Sequence, residues 1–319
     1  MSGALEQNEE SAMPLTSKIL AKLKGSSKER RLQGAVSDSD YVVPNKIHSF
    51  WQGDIKKLMD HLANVSKTAR LNPNYKIVLH VYPSDSVRIE DVVERLGSDA
   101  NIRVKDITSE KWYERFKSSL RYSQFLASRT GGRAHLASGA DIIKTELIYH
   151  KGGVWNDVDN VALVSLPESL KVRQSQILTA GPVTFARWGG MKGVHSSTFA
   201  SYKNNSLLEE MNKESYKKYS SLARSIYKKV PETDNPDDHF KMVSQTAGSY
   251  HFSKELLARN PDFKKSLDAL GRTGKKYDED MIIFDKYFTP TASTGSGNWD
   301  EDQVVALLES MSKPGHVMI

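Results

Sequence analysis

At 319 residues the chain can form one large domain or two modest ones. Hydrophobic residues at 38% and charged residues at 26% fit a globular protein with polar extensions, and no apolar run nears the roughly 20 residues that span a bilayer. The absence of cysteine excludes disulfides, zinc thiolates and cysteine nucleophiles, while the formal net charge of +6 is compatible with anionic partners without naming one.

The opening MSGALEQNEESAMP is polar and acidic and lacks the basic n-region and apolar core of a Sec-type signal, so none is expected. Residues 1–45 read as an extension. Within it Leu15, Ile19, Leu20 and Leu23 share one helical face among lysines, a pattern suited either to an anionic membrane surface or to packing on the parent domain. From residue 46 to 319 the texture is that of a single catalytic-sized domain with helical additions. Lys46–Trp51 reads as a buried strand, 54–70 as a helix, Lys76–Tyr82 as a second strand, 87–97 as a helix and Ile102–Ile107 as a third strand. This alternation predicts an α/β fold with a mostly parallel sheet covered by helices on both faces. Residues 108–126 read as helical and aromatic-rich, and Thr130–Arg133 as a loop followed by His135, a loop histidine without metal spacing. Ala140–Lys151 reads as a helix stopped by Gly152-Gly153, and Val154–Asp159 as a short strand. Further on, 205–229 suggest a long surface helix and Asp302–Ser312 a final one.

Asp157-Val158-Asp159 is the centre of chemical interest. Two carboxylates two residues apart face the same side of a fully extended strand. Hard cations prefer such oxygens and keep positions open for water and phosphate, and a cation there can neutralise the charge that develops on a departing diphosphate. A bare Asp-x-Asp also occurs in solvated acidic turns, so the context matters. Here Asp141 and Lys144 stand one helical turn apart on the preceding helix, and the chain runs through Gly152-Gly153 directly into the acidic pair.

Read from Ala140 to Asp159, ADIIKTELIYHKGGVWNDVD resembles the core motif of the glycosyltransferase family that includes the large clostridial glucosylating toxins, and of the related transferases with a DxD sugar-binding motif. The family pattern is Ser/Ala-Asp-x-x-Arg, a helical stretch, then Gly-Gly-x-Tyr-x-Asp-x-Asp, and this sequence keeps the spacing from Asp141 to Asp159. Ile47–Trp51 with Gly53 resembles the family's first strand, and Ser293–Trp299 resembles its glycine-rich loop that closes over the donor. The resemblance implies a GT-A type, Rossmann-like fold and a retaining, metal-dependent transfer of sugar from a UDP donor to a hydroxyl. It implies Mn²⁺ or Mg²⁺ on Asp157 and Asp159, with Asp159 contacting the metal directly and Asp157 reaching ribose or sugar hydroxyls and a metal-bound water. Asp141 would hold sugar hydroxyls and Trp51 would stack on uracil. Ser296, Asn298 and Trp299 would belong to the closing loop, and Ser196 falls at an asparagine position in the sugar pocket.

Four departures from the pattern stand out. Lys144 replaces arginine, keeping the charge and losing the planar fork. Trp155 replaces tyrosine at a donor-side position, Asn156 replaces an apolar residue, and Ser196 replaces asparagine. The small Ser197 leans toward UDP-GlcNAc over UDP-glucose, and the larger His195 leans the other way; UDP-GlcNAc is ranked slightly ahead. By the same resemblance the acceptor is expected on a host protein such as a Rho-family GTPase. The chain is then expected to act as a secreted toxin or effector translocated into the host cytosol, with membrane contact through its N-terminal extension. A surface-polysaccharide transferase and a non-catalytic UDP-sugar-binding module of the same fold are the alternatives. A phosphohydrolase using Asp-x-Asp fits less well, because Asp159 is followed by Asn160-Val161-Ala162 rather than a Gly or Thr loop. The scattered basic residues form no stripe, so nucleic acid is not an expected partner.

Overall fold

The computed structural model describes residues 40–84, 88–97, 101–129, 136–185, 188–222, 243–269 and 284–290, all within the unit that starts at Asp40. The N-terminal helix, the Thr130–Arg133 loop with His135, the Ser293–Trp299 loop and the Asp302–Ser312 helix lie outside them.

After a short strand β1 (Tyr41–Val43), strand β2 (Lys46–Trp51) is buried along its interior, and helix α1 (Ile55–Leu71) follows, capped by Asp54, whose carboxylate accepts from the Lys56 amide at 2.8 Å. Strand β3 (Lys76–Val81), helix α2 (Ile89–Leu96) and strand β4 (Ile102–Asp106) complete the first half. The expected aromatic helix is two, α3 (Lys111–Lys117) and α4 (Leu120–Ala127), separated at Ser118-Ser119. Helix α5 (Leu136–Lys151) starts four residues earlier than expected and is buried on every side from Asp141 to Ile148. Its buried faces mix Ile142, Ile143, Leu147 and Ile148 with Asp141, Lys144, Thr145 and Glu146, so no amphipathic stripe marks where it begins.

Strand β5 (Gly153–Asn156) ends before the acidic pair. This corrects the strand expected over 154–159: Asp157 to Asn160 form a turn closed by the Asn160 amide on the Asp157 carbonyl at 3.1 Å, so extended-strand alternation does not orient the two carboxylates. Short strands β6 (Asn160–Ala162) and β7 (Leu170–Val172) follow, then β8 (Leu178–Phe185) and the long β9 (Met191–Ser201). Helices α6 (Ser206–Leu222), α7 (Ser249–Arg259) and α8 (Pro261–Ala269) and strand β10 (Phe288–Pro290) follow.

The main sheet has the order β4-β3-β2-β5-β9-β8, its first four strands parallel and β9 antiparallel to both of its neighbours, β5 and β8. Helices cover both faces. One core gathers Ile47, Leu79 and Val154 with Leu58 and Leu62 of α1, and the other gathers Phe50, Trp155 and Phe199 with Ile142, Ile143 and Leu147 of α5. The expected α/β architecture with a mostly parallel sheet is therefore present, with an antiparallel margin the sequence did not announce.

Two glycines join α5 to β5 for steric reasons. Gly152 (φ +64°) is the left-handed residue that ends the helix, its amide bonding the Ile148 carbonyl at 2.8 Å. Gly153 (φ +107°) lies so close to β2 that a Cβ would meet the Lys46 carbonyl oxygen at 2.8 Å. Only glycine supplies both the conformation and the room, so the strand leading to Asp157 can pair at once with β2.

Candidate active site

From β2 the chain runs outward to β3 and β4, then returns to the other side of β2 as β5. The order reverses between β2 and β5, and in an open α/β sheet the crevice beyond the carboxyl ends of the strands at such a point is the usual ligand site. Trp51 stands at the carboxyl end of β2, and Asp157 directly follows β5.

Helix α5 brings Asp141 and Lys144 to the same place. The Lys144 ammonium lies 2.6 Å from Asp141 Oδ1 and 3.5 Å from Asp157 Oδ1, and it donates to the Ser196 carbonyl at 3.3 Å and the Ser196 hydroxyl at 3.5 Å. The Lys144 side chain is 5% exposed and that of Asp141 9%, whereas Asp157 keeps 30%. Lys144 therefore carries a buried charge, and Asp157 is the member of the trio that opens toward solvent. Burial by itself pulls the Lys144 ammonium down; the two carboxylates outweigh it, and the net direction is up. Burial raises Asp141 and Asp157 against the pull of Lys144. Asp159 is pushed up to about 6, first by burial and then by the neighbouring charge of Asp157. Two adjacent carboxylates held above their ordinary range are an electrostatic arrangement that a bound cation relieves.

Trp155 takes a different part from the one its position suggested. Its ring is 1% exposed within the core, so it offers no face to a ligand. Its indole N–H donates to Asp157 Oδ1 at 2.6 Å and the ring lies 5.8 Å from the Lys144 ammonium. The tryptophan thus acts on the crevice through Asp157. Trp51 is half-buried, with its indole N–H on the Asp54 carbonyl at 3.1 Å and its ring tilted against His61. Ser196 is buried, and its hydroxyl meets the Ser249 hydroxyl at 2.7 Å. His195, next to it on β9, is held neutral, pulled down to about 4 by burial and by the Lys144 charge.

The structure thus gathers Asp141, Lys144, Trp155, Asp157 and Ser196, with Asp159 within electrostatic reach. Ser296, Asn298 and Trp299 lie outside the described residues. Three participants were not identifiable beforehand. Ser249 begins α7 and reaches Ser196 from 53 residues away. Arg121 is buried against α5, where it pairs with Glu146 at 3.0 Å and bonds Thr145 at 2.9 Å. Gln52 joins the end of β2 to the Leu136 carbonyl at 2.6 Å and accepts from Arg129. Each is a long-range pairing with no local sequence signal.

Among the described residues no group of three or more His, Asp or Glu side chains gathers as a ready-made metal cage. Two carboxylates beside an open crevice nonetheless suit Mg²⁺ or Mn²⁺, ions commonly held by one or two carboxylates together with substrate phosphates and water.

No protein-family model matches the sequence, and no curated protein matches it either. Among solved structures the chain is similar to the PaToxG glycosyltransferase, with a TM-score of 0.57, 16% identity, and coverage of 78% of this chain and 80% of that one. It also matches the UDP-bound glycosyltransferase domain from the YGT toxin (TM-score 0.42, 10% identity, 85% of this chain and 78% of that one). A further match is the catalytic domain of alpha-toxin from Clostridium novyi (TM-score 0.43, 12% identity, 86% of this chain and 78% of that one). The first likeness places the chain in the same fold, of GT-A type; the other two are too distant to carry weight.

Proposed function

We propose that this chain is a metal-dependent glycosyltransferase that moves a sugar from a UDP donor to an acceptor hydroxyl. The observation that carries the reading is the charged cluster of Asp141, Lys144 and Asp157, with Asp159 two residues on, at the reversal of strand order in a fold shared with a glycosyltransferase. Asp157 and Asp159 would hold Mn²⁺ or Mg²⁺ together with the donor diphosphate. The ion's chemistry there is to offset the negative charge that grows on the departing nucleotide.

The protein's own groups supply the rest. Lys144 is a fixed buried cation that favours the ionised forms of Asp141 and Asp157 against their burial and holds the two side chains in place. Asp141 Oδ2, the oxygen not nearest Lys144, lies close to Gly248 at the start of α7, where it would meet sugar hydroxyls. The Ser196–Ser249 hydroxyl pair offers neutral hydrogen-bonding partners to the same sugar. Trp51, half-buried at the end of β2, would stack on the uracil ring. Ser296, Asn298 and Trp299 would close over the donor and exclude water, so that an acceptor hydroxyl competes with hydrolysis. Retention at the anomeric carbon, UDP-GlcNAc ahead of UDP-glucose, and a host protein such as a Rho-family GTPase as acceptor follow from the family resemblance. So does a toxin or effector role in the host cytosol, with the N-terminal extension on an anionic membrane.

The test needs no acceptor. UDP release from UDP-GlcNAc and UDP-glucose is measured with Mn²⁺, with chelator, and in the Asp157→Ala and Asp159→Ala variants. Metal-dependent release from one donor, lost in both variants while they still melt cooperatively, supports the enzyme and fixes its sugar. No release from any donor, with no shift in melting temperature on adding UDP and Mn²⁺, overturns it in favour of a non-catalytic module.

A further inference from the structure

We propose that Asn156, Asn160 and Thr198 are positioning residues that clamp the turn carrying Asp157 and Asp159. The inference rests on the reading of that turn as the metal and diphosphate site, and it assigns work to residues with no direct part in it.

On β5 successive side chains point to opposite faces, so Asn156 turns away from the side of Trp155 and into the protein, where it is 3% exposed. Its side-chain oxygen accepts from the Thr198 hydroxyl at 2.9 Å and from the Asn160 amide nitrogen at 3.1 Å. The same Asn160 nitrogen reaches Thr198 Oγ1 at 2.9 Å and the Ser197 carbonyl at 3.2 Å. Asn160 and Thr198 are buried as deeply, at 2% and 1%. Residue 156 is the last of β5, residue 160 the first of β6, and Thr198 sits opposite Asn156 in the β5–β9 register.

The three-residue segment between the strands is therefore tied at both ends to each other and to β9. Backbone bonds finish the job: the Asp157 amide donates to the Ser197 carbonyl at 2.9 Å, and the Asn160 amide to the Asp157 carbonyl at 3.1 Å. The Ser49 hydroxyl bonds the Asn156 carbonyl at 2.6 Å, adding β2 to the clamp.

This arrangement accounts for a departure that the motif left unexplained. An apolar residue at 156 packs but cannot bond Asn160 and Thr198. Buried polar groups are costly unless fully partnered, so this triangle stands or falls together. Its location, behind two carboxylates whose spacing must suit one cation, gives it a consequence beyond stability. A misplacement on the order of 1 Å in a catalytic group costs roughly a hundredfold in rate.

The experiment uses the full chain and the Thr198→Val variant, which keeps the shape and removes the hydroxyl, with Thr198→Ser as the conservative control. Amide hydrogen exchange is followed at residues 157–160, alongside UDP release at varied Mn²⁺. The expected result is faster exchange at Asp157 and Asn160 in Thr198→Val. With it, the Mn²⁺ requirement should rise and kcat/KM should drop by about ten- to a hundredfold, both restored in Thr198→Ser. A purely structural threonine would lower the melting temperature and leave the Mn²⁺ requirement and kcat of the folded protein unchanged. Parental exchange rates in the turn overturn the clamp whatever the activity does; faster exchange with parental kinetics overturns its role in positioning. A parent that releases no UDP refutes the transferase reading separately, and the exchange data alone then decide the clamp.

Discussion

Replacing Lys144 by methionine removes one charge from the buried cluster while filling nearly the same volume. The ammonium lies 2.6 Å from Asp141 and 3.5 Å from Asp157. At an effective dielectric near 20 these separations correspond to attractions of roughly 6 and 5 kcal/mol. Desolvation of the three ions opposes them, and breaking a buried pair by deleting one partner costs about 3–5 kcal/mol net. That is a large part of a typical domain's stability of about 5–15 kcal/mol. The loss has a sign in pH. Without Lys144, the pKa of Asp141 rises further above its unfolded value. An acid whose folded pKa is raised contributes most below the unfolded pKa, and the contribution fades as pH climbs toward the folded one. Stability in this window therefore falls by about 1.4 kcal/mol per pH unit for one carboxyl. Denaturant unfolding at pH 5 and pH 8 should show Lys144→Met much weaker at pH 8, with a smaller deficit at pH 5. Adding Asp141→Asn removes the stranded charge and should recover stability at pH 8 while flattening the difference. A deficit under about 1 kcal/mol at both pH values, or a double variant worse than either single one, refutes the reasoning.

Three other outcomes can be checked independently. Trp51→Ala should weaken UDP binding, read by calorimetry, by about 1–3 kcal/mol if the ring stacks on a base, and unchanged affinity removes it from the donor site. Gly153→Ala should destabilise by at least the 1–3 kcal/mol typical of a strained backbone position, because its φ of +107° and the 2.8 Å approach to the Lys46 oxygen allow no relaxation at the β2–β5 pairing; an unaffected denaturation midpoint contradicts that. His48 and His80 share a buried 2.9 Å hydrogen bond, and burial holds both neutral, His80 down to about 3. A lowered histidine pKa stabilises fully above the unfolded value of 6.5 and loses that contribution as pH falls toward the folded value. His80→Gln should therefore flatten the fall in unfolding free energy between pH 6.5 and 4, and an unchanged slope refutes the assignment.

Much of the first half of the sheet was legible because β2 and β3 are short, mostly apolar runs and β4 alternates apolar with polar residues, with amphipathic helices between them. The segment from Asp141 to Asp159 was legible because its charged residues and its glycines answer to local geometry. The antiparallel margin of β8 and β9 was not legible, because the direction of β9 depends on its pairing with β5, which no local pattern encodes. Trp155 shows the limit most clearly. A tryptophan beside an acidic motif reads equally well as a ligand platform or as core, and only its 1% exposure decides for the core. Ser249 and Arg121 were unreadable for a related reason: a serine after Gly248 and an arginine in an aromatic helix acquire meaning only from α5 and β9 packed against them.

The glycine pair between α5 and β5 also bears on how the molecule comes together. Asp141, Lys144, Asp157 and Asp159 all fall within nineteen consecutive residues. Closing so short a loop costs little chain entropy compared with joining segments a hundred residues apart. Bringing these opposite charges within reach needs only one helix folded back on one strand, whereas the contact of Lys144 with Ser196 on β9 must bridge 52 residues. Contacts this local lower the average sequence separation that slows folding. A fold that builds its most charged interior from one short stretch of chain avoids waiting for distant segments to neutralise it.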